Sequence, residues 1–255
     1  MRNRNLFFEE IGRSLCHGRL TPAQRRGLAC KLTAFERHGI RDDRWCAYML
    51  ATSFHETAGT LQPVEETGKG KGRPYGEKRK RDGSAYSLPD RIYFGRGDVQ
   101  LTWYENYERM GRLLQLPLLE QPELALVPEI SARIMIEGMT RGLSNRGDFT
   151  GMALEDFFND GRDDAVGARR VVNGLDRAHL VARYHAAFLR ALRTSKMILF
   201  TLTALLLAGC KPGRVVTENR ATETDSSAVW VLRDSLQWKD MEMARRRGGG
   251  RCCGR

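Results

Sequence analysis

Apolar residues recur at helical spacing, between helix starts and stops, along the chain to about Leu192, and the pattern breaks between Gly68 and Phe94. That punctuation predicts a mainly α (α+β) domain with one long irregular insertion. Thr21-Pro22-Ala23-Gln24 has capping-box spacing and a proline at the first helical position. Leu28, Leu32 and Phe35 continue that helix on one face, and Gly39 ends it. Asp42 and Asp43 open a second helix that runs through Trp45, Tyr48, Met49 and Leu50 to about Thr57, with Gly59 as its stop. Ile130 to Leu143 and Leu175 to Leu192 show the same spacing. The aperiodic stretch holds glycines, a proline and a basic run from Lys69 to Arg81, which reads as a loop or irregular hairpin.

With 255 residues, 41% of them hydrophobic, the chain has material for one sizeable domain or two small ones. That apolar content excludes a disordered or collagen-like chain. Lys and Arg number 42 against 31 Asp and Glu, a net charge of +11, which favours anionic partners. No helix-turn-helix, zinc finger or stacking-sheet signature accompanies the charge, so specific nucleic-acid binding is not expected. The basic run from Lys69 to Arg81 has two readings, a solvated loop or attraction to an anionic envelope. Six cysteines match no zinc spacing, and no metal or organic cofactor is expected.

The N-terminal residues lead straight into an amphipathic pattern rather than an apolar signal core. After Arg193 the character changes. Met197 to Gly209 is uncharged, apolar and preceded by Arg190, Arg193 and Lys196, and it ends in Leu207-Ala208-Gly209-Cys210. The run is shorter than the roughly 18–20 residues of a membrane-spanning helix. It resembles a bacterial lipoprotein signal with its lipobox, Cys210 being the residue that such a signal lipidates. These features divide the chain into a domain at 1–194 and a hydrophobic segment with a polar, disordered tail at 195–255. Membrane association through 197–210 is the corresponding expectation.

The chemistry concentrates around Phe54-His55-Glu56-Thr57, where a glutamate closes an apolar helix beside the aperiodic loop. Burial there would favour the protonated form that a general acid needs. Glu65, Glu66 and Thr67 follow. A pair of carboxylates across a cleft, one giving a proton and one activating water, is what glycoside hydrolysis requires. The spacing alone does not establish this, because glutamates at such a separation are common on helix surfaces and loops.

The wider motif order is more specific. His55-Glu56-Thr57 is followed by Tyr93-Phe94-Gly95-Arg96-Gly97-Asp98-Val99-Gln100-Leu101-Thr102-Trp103, by Asn106-Tyr107, and by Ala168-Arg169-Arg170-Val171-Val172-Asn173-Gly174. Over about residues 40 to 190 the chain resembles the glycoside hydrolase family 19 chitinases, closest to their phage and bacterial endolysin branch. The resemblance implies a two-lobed lysozyme-like domain whose cleft has Glu56 at its wall. It also implies inverting cleavage of β-1,4 bonds between N-acetylated amino sugars. Glu56 matches the general acid. Glu65 comes first as second carboxylate, then Glu66, then Glu77, and Thr67 would help hold the water. His55, Tyr93, Gln100, Thr102, Asn106 and Asn173 fall on substrate-binding positions, and Tyr93, Trp103 and Tyr107 are candidates to stack on sugar faces. Peptidoglycan is the expected polymer and chitin the alternative. The protein would be a monomer that leaves a host cytoplasm for the cell wall or periplasm. A catalytically inactive, envelope-tethered glycan binder is the competing reading.

Overall fold

Thr21 and Gln24 close a complete capping box, the Thr21 hydroxyl taking the Gln24 N–H at 3.2 Å and the Gln24 amide taking the Thr21 N–H at 2.8 Å. Helix α2 (Pro22–Arg37) starts there, preceded by α1 (Arg4–Leu15). Asp42 caps α3 (Asp43–Glu56), its carboxylate accepting the Arg44 N–H. The computed structural model describes the backbone of residues 3–207 and the side chains of residues 3–196. Within these bounds the remaining α-helices are α4 (Tyr104–Leu114), α5 (Pro128–Met139) and α6 (Ala178–Leu207). Two antiparallel ribbons join them. Strand β1 (Val64–Glu65) pairs with β2 (Arg96–Gly97), and β3 (Phe158–Asn159) pairs with β4 (Arg162–Asp163). The architecture is mainly α with small β elements.

Helix α3 is the centre of the core. Cys46 through Ser53 are all buried, and Phe54 meets the α6 rings of Tyr184 and Phe188 at 4.9 and 6.1 Å. A second cluster lies under the irregular segment, where Tyr86, Tyr93, Tyr104 and Tyr107 pack ring to ring. The aperiodic stretch has the irregular form expected of it, held by an isolated bridge between Arg79 and Ala85.

Two helix ends differ from the periodicity. Helix α5 stops at Met139, short of Leu143, because Glu137 turns its carboxylate to the Leu143 N–H at 2.8 Å and fixes a loop there. Helix α6 continues through Leu207 and so crosses the change of composition after Arg193. Ser195 is buried, its carbonyl accepts the Asn3 N–H at 3.1 Å, and Lys196 pairs with Asp43 at 2.7 Å. The expected boundary at 194 therefore falls inside a helix that is tied to the domain on both sides of it. Among the described residues no helix is long and apolar enough to cross a membrane. Cys210 and the polar segment after it lie outside the described residues.

His185 on α6 is buried between the rings of Tyr48 and Phe158, at 5.6 and 5.2 Å, with its Nε2 unpaired. Burial pushes its pKa down to about 4, against the partly compensating carboxylates of Asp163 and Asp42. Below pH ~6.5 the unfolded chain takes up a proton that the folded one resists. Stability is therefore full above that pH and falls as the pH drops towards 4, by about 3 kcal/mol from this group. Denaturant midpoints at pH 4.5 and 7.5 should differ much less in His185→Phe than in the wild type.

Candidate active site

The site residues hang on the C-terminal end of α3 and on the β1–β2 ribbon. A buried ion pair joins these two supports. Lys31 of α2 and Asp98, both essentially inaccessible, lie 2.7 Å apart. The same Asp98 oxygen accepts the Ser53 hydroxyl of α3 at 2.7 Å, and the Asp98 N–H donates to the Ser131 hydroxyl of α5 at 2.8 Å. Lys31 also donates to the Leu61 carbonyl at 3.0 Å, just ahead of β1. Asp98 thus fixes the segment after β2 against three helices.

Glu56 is the last residue of α3, and its side chain is 19% exposed. Arg169, 2% exposed in the 3-10 turn Gly167–Val171, brings a guanidinium nitrogen to 2.8 Å from its carboxylate. This contact is an ion pair rather than an aligned hydrogen bond. Arg169 is itself held by donation from Nε to the Asp176 carbonyl at 3.0 Å. An apolar wall is therefore not what meets the Glu56 carboxylate; a fixed cation is. His55 beside it is half-buried, and burial lowers its pKa more than Glu56 raises it.

Glu65 stands opposite Arg96 in the β1–β2 register. Its carboxylate lies 3.7 Å from Arg96 Nε and 2.9 Å from Lys69 Nζ, and its side chain is 35% exposed. Arg96 is buried, with its guanidinium over the Phe94 ring and Nη1 donating to the Ile92 carbonyl at 3.0 Å. Glu66 differs. One of its oxygens accepts the Gly95 N–H and the other the Tyr75 hydroxyl, both at 2.9 Å. Those contacts make Glu66 a tie between the loop and the residue before β2. Thr67 and Glu77 are exposed on the loop.

Gly95, Gln100, Thr102 and Asn106 form one continuous set of contacts. The Gln100 amide donates to the Val64 and Gly97 carbonyls, at 3.0 and 3.2 Å. The Thr102 hydroxyl donates to the Gln100 carbonyl at 2.7 Å, and the Asn106 amide to the Thr102 carbonyl at 2.8 Å. A Cβ on Gly95 would stand 2.7 Å from the Gln100 amide oxygen and 3.3 Å from the Thr102 hydroxyl. Gln100 and Trp103 have positive φ, 53° and 77°, in a region that side chains seldom adopt.

Two of the expected stacking residues are corrected. Tyr93 and Tyr107 are completely buried, and their hydroxyls are spent on the carbonyls of Leu119 and Phe94, both at 2.9 Å. They pack the core beneath the site and present no face to a sugar. Trp103 stays half-buried, edge-on to Tyr75 with Arg81 over its ring. Asn173 is exposed, and its side chain accepts the Gly174 N–H, as in a turn. Among the described residues no group of three His, Cys, Asp or Glu converges as a metal site would. Arg169 and Arg96, which hold the two leading carboxylates, were not among the expected site residues; both stand in the motifs, but their partners lie elsewhere in the chain.

No family model matches the chain. Local similarity is found to plant endochitinases. A basic endochitinase of Brassica napus is 42% identical over 81 residues, 32% of this chain and 29% of that protein. An endochitinase of Arabidopsis thaliana is 47% identical over 82 residues, 32% of this chain and 26% of that protein. One from Phaseolus vulgaris is 30% identical over 95 residues, 34% of this chain and 28% of that protein. The chain thus matches less than a third of the length of these curated relatives. Among solved structures, chitinase C from Streptomyces griseus has a TM-score of 0.49 at 20% identity, covering 74% of this chain and 76% of that one. A family GH19, class IV chitinase from Zea mays has a TM-score of 0.49 at 14% identity, covering 74% and 94%.

Proposed function

We propose that this chain is a glycoside hydrolase that cuts β-1,4 bonds between N-acetylated amino sugars, with peptidoglycan as its polymer. The observation that carries the reading is a pair of glutamates on separate elements, Glu56 and Glu65, each beside the guanidinium of a buried arginine. In the inverting reaction Glu56 protonates the glycosidic oxygen as the bond to the anomeric carbon breaks. Glu65 takes a proton from the water that attacks the opposite face of the sugar. Glu56 is then left ionised beside Arg169, which stabilises that charge without moving. Glu65 is partly open to solvent and so can receive water, whereas Glu66 is held by Tyr75 and Gly95. The amide oxygens of Gln100 and Asn106 suit the N–H of an acetamido group.

The experiment is release of reducing ends from peptidoglycan and from N-acetylglucosamine oligomers. Cleavage of either by the wild type supports the glycosidase reading, and failure on both defeats it. A second reading, chitin as substrate, is favoured by the endochitinase names of the plant relatives. Faster cleavage of the oligomers than of peptidoglycan would establish it. In the same assay Gly95→Ala should lose at least about tenfold in kcat/KM, some 1.4 kcal/mol, because its methyl displaces Gln100 and Thr102. Unchanged kinetics would remove those two residues from the substrate site.

A further inference from the structure

A cavity of about 520 Å³ opens against the second half of α4, lined by Arg109, Arg112, Leu113, Ser144, Arg146 and Asp148. None of these residues belongs to the site described above. Arg109 and Arg112 are three apart on α4 and so neighbour each other on its surface. Arg146 reaches the same space from the loop after α5. Arg109 Nη1 donates to the Asp148 carbonyl at 2.5 Å, which fixes one edge of that guanidinium. Among the described residues the Arg112 side chain makes a 3.7 Å pair with Glu108, and it is 75% exposed.

The single carboxylate of the lining is buried. Asp148 is 1% exposed, one oxygen accepts the Ser144 hydroxyl at 2.8 Å, and the other lies 3.8 Å from Arg146 Nε. Behind it, burial, with Asp148 adding to the effect, raises the pKa of Glu137. Three guanidiniums therefore line an open cavity whose only acid is buried. A neutral sugar gains little from such a lining. The planar fork of arginine matches a carboxylate or a phosphate.

The position of the cavity narrows the ligand. Arg109 follows the candidate sugar-binding Asn106 by three residues on α4. At about 1.5 Å of rise per residue, Arg109 and Arg112 stand roughly 4.5 and 9 Å further along the same helix. We propose that this pocket binds a carboxylate of the peptide borne by a peptidoglycan strand, an inference that rests on the glycosidase reading above. Chitin carries no such group, so the pocket would separate the two polymers.

The test is titration calorimetry of the full chain with muramyl dipeptide, a single sugar with no glycosidic bond between sugars to cut. Its derivative with the free carboxylate amidated and a glycerol phosphate oligomer serve as further probes. The variant R112Q/R146Q changes two largely exposed side chains and should keep the fold. The wild type should bind muramyl dipeptide saturably, and amidation or the double substitution should each weaken binding tenfold or more. The variant should cleave uncharged N-acetylglucosamine oligomers as the wild type does. Equal binding of dipeptide and amide, equal binding by wild type and variant, or tighter binding of the glycerol phosphate oligomer would overturn the proposal. Because the titration involves no bond cleavage, it reads the pocket separately from the hydrolytic assay. Wild-type failure to hydrolyse either polymer would defeat the glycosidase reading instead.

Discussion

Glu56→Gln should lower the rate of glycan cleavage by a factor of about 10²–10⁴, the range typical of removing a positioned general acid. Glutamine keeps the shape of the side chain and cannot deliver a proton. It also puts an amide in place of the carboxyl group 2.8 Å from Arg169, although that guanidinium retains its bond to the Asp176 carbonyl. Circular dichroism of the variant separates loss of chemistry from loss of structure. A folded Glu56→Gln protein with wild-type rates on both polymers would remove Glu56 from the reaction. Arg169→Met offers a second view of the same pair. It should slow cleavage because the acid loses its fixed counter-charge, and Arg169→Lys should recover part of the rate. A purely structural arginine would instead give matching losses of stability in both variants.

The largest expected effect on stability is at Asp98. Removing one partner of a buried ion pair leaves the other charge uncompensated, which costs about 3–5 kcal/mol. Asp98→Ala strands Lys31, 2% exposed, and takes away the acceptor of the Ser53 hydroxyl. For a domain of this size the thermal midpoint should fall by about 10 °C or more. Asp98→Ala combined with Lys31→Met should recover much of the loss, because no unpaired charge then remains. Thermal melts of the single and double variants measure the coupling directly. If the two single losses simply add in the double variant, the pair is not the tie that positions the segment after β2.

That pair marks how far the sequence could be read. The caps of α2 and α3 were legible because a capping box and an N-terminal aspartate act within one turn. The core face of α2 was legible in Leu28, Leu32 and Phe35, whereas Lys31 beside them reads as a surface residue until Asp98 is brought to it. Tyr93 and Tyr107 share a motif with Gln100, Thr102 and Asn106, and nothing in their order tells a packing ring from a stacking one. Burial decides it, and burial is set by α4 and the loop together. Arg169 and Arg96 were visible as charges, but the contacts that give them roles are tertiary. The run of α6 past Arg193 was hidden for a different reason. A change of composition suggests a boundary, while helical hydrogen bonding is local and carries on across it.

The anomeric form of freshly released product tests the central claim most directly. Water activated by Glu65 and a leaving group protonated by Glu56 must give inversion at the anomeric carbon. Proton nuclear magnetic resonance during the first minutes of cleavage of an N-acetylated amino-sugar polymer should therefore show the α anomer accumulating before mutarotation. Initial β product, or no product from either polymer, would contradict the account.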